Sequence, residues 1–259
     1  MSIRIVTGTA VVAGLALLTA NLCVSQEYKS GIVWPEPKVV APGEKPGDPP
    51  ADAVVLFDGK DLSKWNNGDK WEVKDGSAVV QKSDIQTKDA FGPDYQLHVE
   101  FATPEKVRGS GQGRGNSGIF LSGRYEVQVL DSFDNKTYFD GQCASLYKQS
   151  PPMVNVSRKP GEWQTYDIVY ESPRFGDDKK VLKPGIVTVI HNGVVVQNHF
   201  ELQGNTNFDK PAAYEPHPLK QPIRIQNHGD PVKYRNIWLR EFTPMVGKKP
   251  EPKQEEKKN

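Results

Sequence analysis

Two carboxylates and an amide follow one another at short spacing in the segment Arg124–Asp131. Because successive side chains of a strand point to opposite faces, Arg124, Glu126 and Gln128 share one face, and a bulge at the strand end brings Asp131 to the same side. Paired carboxylates suit glycoside cleavage, since one donates a proton while the other accepts one or stabilises positive charge. The alternative is a solvated sheet face, which is common in antiparallel sheets.

A second predicted strand favours the site over the solvated face. In residues 223–229, Arg224, Gln226 and His228 alternate onto one face, and His228 stands just before Gly229, where the strand ends. Histidine is the side chain that most readily exchanges protons near neutral pH. A histidine in this polar company is a better candidate for chemistry than the other histidines of the chain.

Aromatic and glycine-rich segments flank these strands. Aromatic side chains stack on sugar rings, although those at inward strand positions generally belong to the core. We expect Tyr147, which is followed by Lys148, to be an exposed aromatic residue that contacts a ligand. The run Gly109–Gly115 is glycine-rich, but a strand is predicted after it, whereas the dinucleotide-binding fingerprint needs a helix there. We therefore predict a mobile loop near the site.

The elements that must position these residues are short strands. Polar and apolar residues alternate from Gln96 to Phe101, and Asn192-Gly193 separates two β-branched runs, which is the strongest short hairpin signal. No segment combines a sustained helical period with capping residues. The pattern predicts an all-β single domain, and a jelly-roll β-sandwich is favoured because its curved sheets leave a concave face for a ligand.

The composition of the chain changes along its length. Prolines are concentrated before the first strand, and Lys and Glu are concentrated after the last one, which is typical of a linker and of a disordered tail. We predict a signal peptide at 1–25, a Pro-rich linker at 26–51, the folded domain at 52–243 and a charged tail at 244–259.

The predicted signal peptide has an apolar run after Arg4 that is too short to span a bilayer comfortably. Small residues precede a cut before Gln26, and a cut after Ala20 is the alternative. Lipidation at Cys23 is disfavoured by the bulky Leu22. We expect a periplasmic or secreted protein with no membrane span in its mature form.

Charge and cysteine content exclude other classes. Lys and Arg number 33 and Asp and Glu number 32, so no basic excess collects phosphates and no nucleic acid is expected as a partner. If Cys23 leaves with the signal peptide, Cys143 cannot form an internal disulfide. We predict Cys143 to be a small buried residue, and we expect no obligate protein partner.

Short motifs spread over residues 52–243 together resemble the 3-keto-disaccharide hydrolase family. No single motif is specific, whereas the ordered set is highly specific. In chain order the motifs are LFDGKDLSKW at 56–65, WEVKDG at 71–76, GNSGIF at 115–120, YEVQVLD at 125–131, GEWQTY at 161–166, HNG at 191–193, QNHG at 226–229 and YRNI at 234–237.

The resemblance implies a concanavalin A-like sandwich, bacterial export and action on glycosides oxidised at C3, by hydrolysis or β-elimination. A C3 ketone acidifies the C2–H, so a base can remove that proton while the C1 substituent leaves. Glu126 or His228 could be the base, and the other, or Asp131, could protonate the leaving oxygen. Arg124, Lys148 or a bound divalent cation could stabilise the enolate; the cofactor stays unknown.

These considerations define the candidate site for a small carbohydrate substrate. The alternative function is a non-catalytic carbohydrate-binding module, since sandwich folds host both roles. One departure concerns Asn227, where the family usually has Asp: activity is expected to be weakened or altered if that Asp orients His228 or binds a metal. The predicted catalytic residues are Glu126, His228 and Asp131, and the predicted substrate-binding residues are Arg124, Gln128, Asn116, Tyr147, Lys148 and Gln226.

Overall fold

The computed structural model describes residues 27–250, so the predicted signal peptide at 1–25 lies outside the described residues. Residues 37–244 form one compact unit, which is the folded domain. The other unit combines the segments before and after it, and there Val33 pairs with Lys248 in an isolated antiparallel bridge. Between residues 27 and 250, no helix has the length and apolar character needed to cross a membrane.

Short strands and single-turn 3₁₀ helices build the domain. The strands are β1 (Val54–Phe57), β2 (Trp65–Asn66), β3 (Glu72–Lys74), β4 (Ser77–Val79), β5 (Ile85–Thr87), β6 (Asp94–Ala102), β7 (Ser117–Leu121), β8 (Tyr125–Val129), β9 (Gln164–Glu171), β10 (Arg174–Phe175), β11 (Val181–Lys183), β12 (Ile186–His191), β13 (Val194–Glu201), β14 (Arg224–Ile225) and β15 (Lys233–Glu241). The 3₁₀ helices are Gly68–Lys70, Gly111–Gly113 and Phe139–Gly141.

Most strands belong to two antiparallel sheets. One sheet has the order β13-β12-β9-β6-β15-β4-β3, with β1 also paired to β15, and the other has the order β2-β5-β14-β7-β8. Strands β10 and β11 form a separate hairpin. Apolar side chains from both sheets join in one buried core. The predicted all-β jelly-roll sandwich is confirmed.

Alternation along the strands puts the core on one face of each sheet. In β6, Leu97, Val99 and Phe101 are fully buried, and in β8 Tyr125 and Val127 are fully buried as well. Each such side chain contributes about 1.5–3 kcal/mol to folding through burial. Cys143 lies buried in the same core, as predicted.

The outer face of β6 carries a buried histidine. The Nδ1 of His98 is hydrogen-bonded to the Asp167 carboxylate at 2.8 Å, and its Nε2 lies 3.7 Å from Glu100. The Trp238 ring stacks on the imidazole with 5.1 Å between centroids and donates from Nε1 to the Gly47 carbonyl at 2.8 Å. Part of the predicted linker is therefore attached to the domain by the residues around His98.

We expect this cluster to make stability depend on pH. Burial lowers the pKa of His98, but the hydrogen bond to Asp167 and the nearby Glu100 carboxylate outweigh it and raise the pKa from 6.5 to about 9. The stabilisation is thus full below pH 6.5 and is lost as pH rises through about 9. Asp167→Asn should remove about 1–3 kcal/mol at pH 6.5 and little at higher pH, measured by urea unfolding, while Asp177→Asn should change nothing. Equal loss for Asp167→Asn at both pH values would contradict this.

Candidate active site

Strand β7 brings the two polar strands of the sequence prediction together. It pairs with β8 on one side, where Phe120 faces Glu126, and with β14 on the other, where Phe120 faces Arg224. Just beyond β14, the backbone N–H of Gln226 donates to the Gly118 carbonyl at 2.9 Å. Glu126 and Gln226 therefore lie on either side of the same short stretch of β7.

A cavity of about 700 Å³ opens over this stretch. Five of the predicted site residues line it, which are Asn116, Glu126, Tyr147, Gln226 and His228. Tyr147 is 8 % exposed, so the prediction of an exposed side chain is wrong for this residue. Gln112, Gly113, Phe120, Tyr138, Thr206 and Phe208 complete the lining. The structure thus gathers residues that are distant in sequence into one concave site of mixed polar and aromatic lining, which is typical of small-molecule sites.

Glu126 is buried in the floor of the cavity, with 6 % of its surface exposed. Its backbone is fixed, because its N–H donates to the Thr206 hydroxyl at 2.9 Å and its carbonyl accepts from the Tyr147 amide at 3.2 Å. Among residues 27–250 no hydrogen bond reaches its carboxyl group. Burial raises the pKa of that carboxyl from 4.5 to about 8, although the Arg224 guanidinium opposes the shift. Near neutral pH the group therefore carries a proton that it can donate.

Gly118 makes room for this carboxyl group. A Cβ at Gly118 would overlap Oε1 of Glu126 and would come within 3.1 Å of the Phe120 ring. The sequence places a glycine in the interior of a strand here, and such a glycine marks a close approach of another group.

Gly118→Ala should therefore displace the Glu126 carboxyl with little loss of stability, because the end of a flexible side chain can move. A misplacement of about 1 Å costs on the order of 100-fold in rate, so we expect kcat to fall about 10- to 100-fold. The measurement is kcat alone and in a Glu126→Gln background, where Gly118→Ala should cost almost nothing more. Full additivity of the two losses would show that Gly118 acts independently of Glu126.

The glycine-rich segment 109–115 forms one wall of the cavity and is firmly held. The Gln112 side chain donates to the Gly141 carbonyl at 2.8 Å and accepts from the Gln128 amide at 3.0 Å. Asn135 accepts from the Gly111 amide at 2.8 Å and donates back to the Gly111 carbonyl at 3.0 Å. These bonds place the segment in the wall of the cavity, and the mobility predicted from the sequence stays a prediction.

Gln128 and Asp131 support that wall from behind and do not stand among the residues that line the cavity. Gln128 is 1 % exposed. Asp131 lines a separate cavity of about 230 Å³, and its Oδ2 accepts from the Arg114 Nε at 2.7 Å. Arg114 also donates to the Phe133 carbonyl at 2.9 Å. The structure therefore does not bring Asp131 together with Glu126 in one cavity, and we expect Asp131 to position Arg114.

Asp131→Asn distinguishes the catalytic role predicted for Asp131 from a role in positioning Arg114. The substitution leaves the half-buried Arg114 without its counter-charge, so we expect a loss of about 2–4 kcal/mol in unfolding free energy and only a small change in kcat. Denaturant unfolding and steady-state kinetics measure both, and Asp134→Asn, an exposed change in the same loop, is the control. A stable Asp131→Asn protein that is as inactive as Glu126→Gln would restore the catalytic role predicted from sequence.

His228 reaches the cavity from the turn after β14. The side chain is exposed. Asn227 shapes the turn, because its Oδ1 accepts from the Gly229 amide at 2.9 Å and its own N–H donates to Asp84 at 2.8 Å. Asn and Asp can both make the Oδ1 bond. Asn at position 227, where the family usually has Asp, therefore preserves the turn that carries His228.

Arg124 and Lys148 were predicted to bind substrate, and neither is among the lining residues. The Arg124 Nη1 lies 3.1 Å from the Glu215 carboxylate, on a partly exposed surface. The Lys148 Nζ lies 3.7 Å from the centre of the Tyr138 ring, which does line the cavity. Lys148 thus lies next to the site, over the ring of a lining residue, while Arg124 is paired with Glu215.

Sequence reasoning missed the residues that enter from irregular segments. Gln112, Tyr138, Thr206 and Phe208 lie outside the strands. The glycine-rich run around Gln112 was the one available signal. Nothing in the sequence near Thr206 or Phe208 indicates that this stretch folds over the end of β8.

The residues of the site bear on whether it could hold a divalent cation. Residues 27–250 contain no group of three or more His, Cys, Asp and Glu side chains placed to hold a metal ion. In the cavity itself Glu126 and His228 are the titratable ligands of that kind, and the remaining oxygens belong to amides and hydroxyls. This set does not fit a resident metal centre.

The fold and the cavity define a β-sandwich protein with a concave ligand site, and its family and the solved structures similar to it support a carbohydrate-active role. Residues 52–240 match the sequence profile of the 3-keto-alpha-glucoside-1,2-lyase-like domain family. The chain belongs to that family. No curated protein matched the chain.

Solved structures from Parabacteroides distasonis ATCC 8503 are similar. A proposed glycosyl hydrolase is 45 % identical with a TM-score of 0.77, and the match covers 90 % of this chain and all of the other. A second one is 25 % identical with a TM-score of 0.52 and covers 73 % and 99 % of the two chains. A third, at 19 % identity and a TM-score of 0.56, covers 74 % and 94 % and shows the fold alone.

Proposed function

We propose that this protein is an exported enzyme that cleaves glycosides oxidised at C3, with Glu126 as the general acid and His228 as the general base. One observation carries the assignment: the Glu126 carboxyl is buried without a hydrogen-bond partner within residues 27–250, and burial raises its pKa to about 8. A carboxylic acid that keeps its proton near neutral pH can protonate a leaving oxygen. The export part of the proposal rests on the sequence of the first 25 residues.

The proposed reaction is a β-elimination. His228 takes the C2 proton, which the neighbouring ketone acidifies, and the electron pair of that C–H bond moves to give the C3 enolate. The enolate then collapses to the C3 ketone, a C1=C2 double bond forms and the C1–O bond breaks. Glu126 gives its proton to the leaving oxygen, which departs as an alcohol. Exchange of protons with water returns both groups to their starting states.

Hydrolysis shares with the elimination the removal of the C2 proton and the cleavage of the C1–O bond. Addition of water across the C1=C2 bond of the released enone gives the free 3-keto sugar, so the two outcomes differ only after the C1–O bond has broken. Both need a base and an acid on the two residues that the cavity provides. The family name favours elimination as the first step.

The cavity also has the groups that hold a sugar. Buried oxygens of Asn116 (Oδ1) and Gln226 (Oε1) have no hydrogen-bond partner within the described residues. Unpaired buried acceptors are costly and are satisfied when a ligand supplies donors, and sugar hydroxyls are such donors. Phe120 and Phe208 add apolar surface for a sugar ring.

Incubation of the purified protein with a 3-keto-glucoside and with its unoxidised parent tests the proposal. We expect aglycone release from the oxidised compound alone, because only its C2–H is acidic. Release from neither compound would overturn the enzymatic proposal, and release from both at similar rates would indicate an ordinary glycosidase.

A non-catalytic carbohydrate-binding module is the second candidate. The unpaired amide oxygens of Asn116 and Gln226 favour binding of a sugar but do not distinguish a binding protein from an enzyme. A pure binder has no use for a buried acid of raised pKa, so it should tolerate Glu126→Gln with affinity and function intact. Calorimetric titration of both proteins with the unoxidised sugar makes the comparison.

A further inference from the structure

Two tyrosine hydroxyls form a pair in the wall of the cavity. The Tyr138 and Tyr147 oxygens are 2.7 Å apart, and their rings meet edge to face with 6.2 Å between centroids. Both side chains line the same cavity as Glu126 and His228. Within the described part of the chain, neither hydroxyl has a second hydrogen-bond partner.

The two hydroxyl groups of the pair leave one O–H donor for a ligand. Two hydroxyl groups carry two protons, and the bond between them uses one. The second proton has no acceptor among residues 27–250, whichever tyrosine carries it. The pair therefore presents one free O–H donor to the cavity. Burial raises the pKa of Tyr147 above its ordinary value, so its hydroxyl stays protonated.

The surroundings fix the pair. A Cβ at Gly141 would overlap the Tyr138 ring, so the glycine leaves the ring its place. Lys148 has a φ of 61°, which is unusual for a residue with a side chain, and its amide donates to the Asp140 carbonyl at 2.9 Å. Its ammonium group lies 3.7 Å from the Tyr138 ring centre. Strain of this kind is concentrated at functional sites.

We propose that Tyr138 and Tyr147 together are the electrophile of the reaction, donating a hydrogen bond to the oxygen at C3 of the sugar as the enolate forms. This inference rests on the proposed function. When the C2 proton leaves for His228, negative charge develops on that oxygen. The free O–H stabilises the charge without transferring its proton, and the bond weakens when the ketone re-forms. A donor aimed at developing charge is the usual source of the largest single gain in rate.

The pair predicts a characteristic response to substitution. In Tyr138→Phe the Tyr147 hydroxyl loses its acceptor and keeps a proton to donate, and the reverse holds for Tyr147→Phe. We expect each single variant to lose less than about 10-fold in rate and the double variant about 100- to 1,000-fold, the cost of removing an oxyanion donor. The test is the rate of C2–H exchange in D₂O, measured by NMR, on a 3-keto sugar that has no leaving group.

Tyr125→Phe is the matched control, because it also removes one buried hydroxyl but lies outside the cavity lining. It should leave the exchange rate unchanged. A double variant that folds and exchanges C2–H within about 3-fold of the wild type would overturn the pair, since one donor is worth about 100-fold or more. If the wild type exchanges C2–H in a pair-dependent way but releases no aglycone, the pair stands and the cleavage proposal fails.

Discussion

Glu126→Gln is expected to lower the rate of aglycone release about 100- to 10,000-fold, which is what general acid catalysis contributes. The amide keeps the size of the side chain and cannot supply the proton. The loss should be smallest for an acidic aglycone such as nitrophenol, which leaves without protonation, and largest for an alkyl alcohol. In the wild type, release of an alkyl alcohol should decline as pH rises through about 8, where Glu126 loses its proton.

The control for this variant is Glu201→Gln, the same chemical change at an exposed position of β13 in the other sheet. It should be fully active. Glu126→Gln should still exchange the C2–H of a 3-keto sugar, because the base is intact. Loss of exchange to the same extent as loss of cleavage would reverse the assignment and make Glu126 the base.

Stability gives an independent readout of the same carboxyl group. Its pKa is raised from 4.5 to about 8 on folding, so its contribution to stability is full below pH 4.5 and is lost as pH rises through about 8. Glu126→Gln removes this dependence and should become the more stable protein in alkaline solution. At about 1.4 kcal/mol per pKa unit the difference reaches at most about 5 kcal/mol. Urea unfolding at acid and alkaline pH measures it.

His228→Asn is expected to lower both aglycone release and C2–H exchange about 100- to 10,000-fold, because removal of the C2 proton precedes everything else. This double loss distinguishes the base from the acid, since Glu126→Gln should lose release alone. The exposed side chain makes little contact that stabilises the fold, so unfolding free energy should change by less than about 0.5 kcal/mol.

His199→Asn is the matched control for the base. His199 is exposed on β13 and has a φ of 50°, a conformation that Asn adopts readily. It should leave both rates unchanged. A His228→Asn protein with a raised KM and an unchanged kcat would contradict a role as base and would leave His228 as a binding residue.

The sequence was sufficient for the fold because its signals are local. The Asn192-Gly193 turn and the alternation in β6 depend only on neighbouring residues, and the structure has both elements. The same alternation put Glu126 and Gln128 on a polar face. Sequence could not show that this face is also buried, because the groups that cover it come from Gln112 and from the segment around Thr206.

The residues that were placed less well depend on contacts between distant segments. Asp131 comes after a strand at the predicted spacing, yet the Arg114 guanidinium holds it in another cavity. No sequence pattern around Tyr138 indicates a role in the site. Its proposed role depends on its hydroxyl oxygen, which lies 2.7 Å from the hydroxyl oxygen of Tyr147. Polar and titratable residues that alternate along a strand can therefore be predicted from sequence. The residues that contact them from distant loops can be identified only in the folded structure.

The most direct test of the mechanism traces deuterium at C2 of the sugar. A 3-keto-glucoside deuterated at C2 is treated with the protein, and NMR measures release of the aglycone and retention of the label, with an enzyme-free sample to correct for spontaneous exchange. The proposed elimination predicts that every aglycone released is accompanied by loss of C2 deuterium to water. Release of the aglycone with the deuterium retained in the product sugar would contradict it, because cleavage would then proceed without removal of the C2 proton.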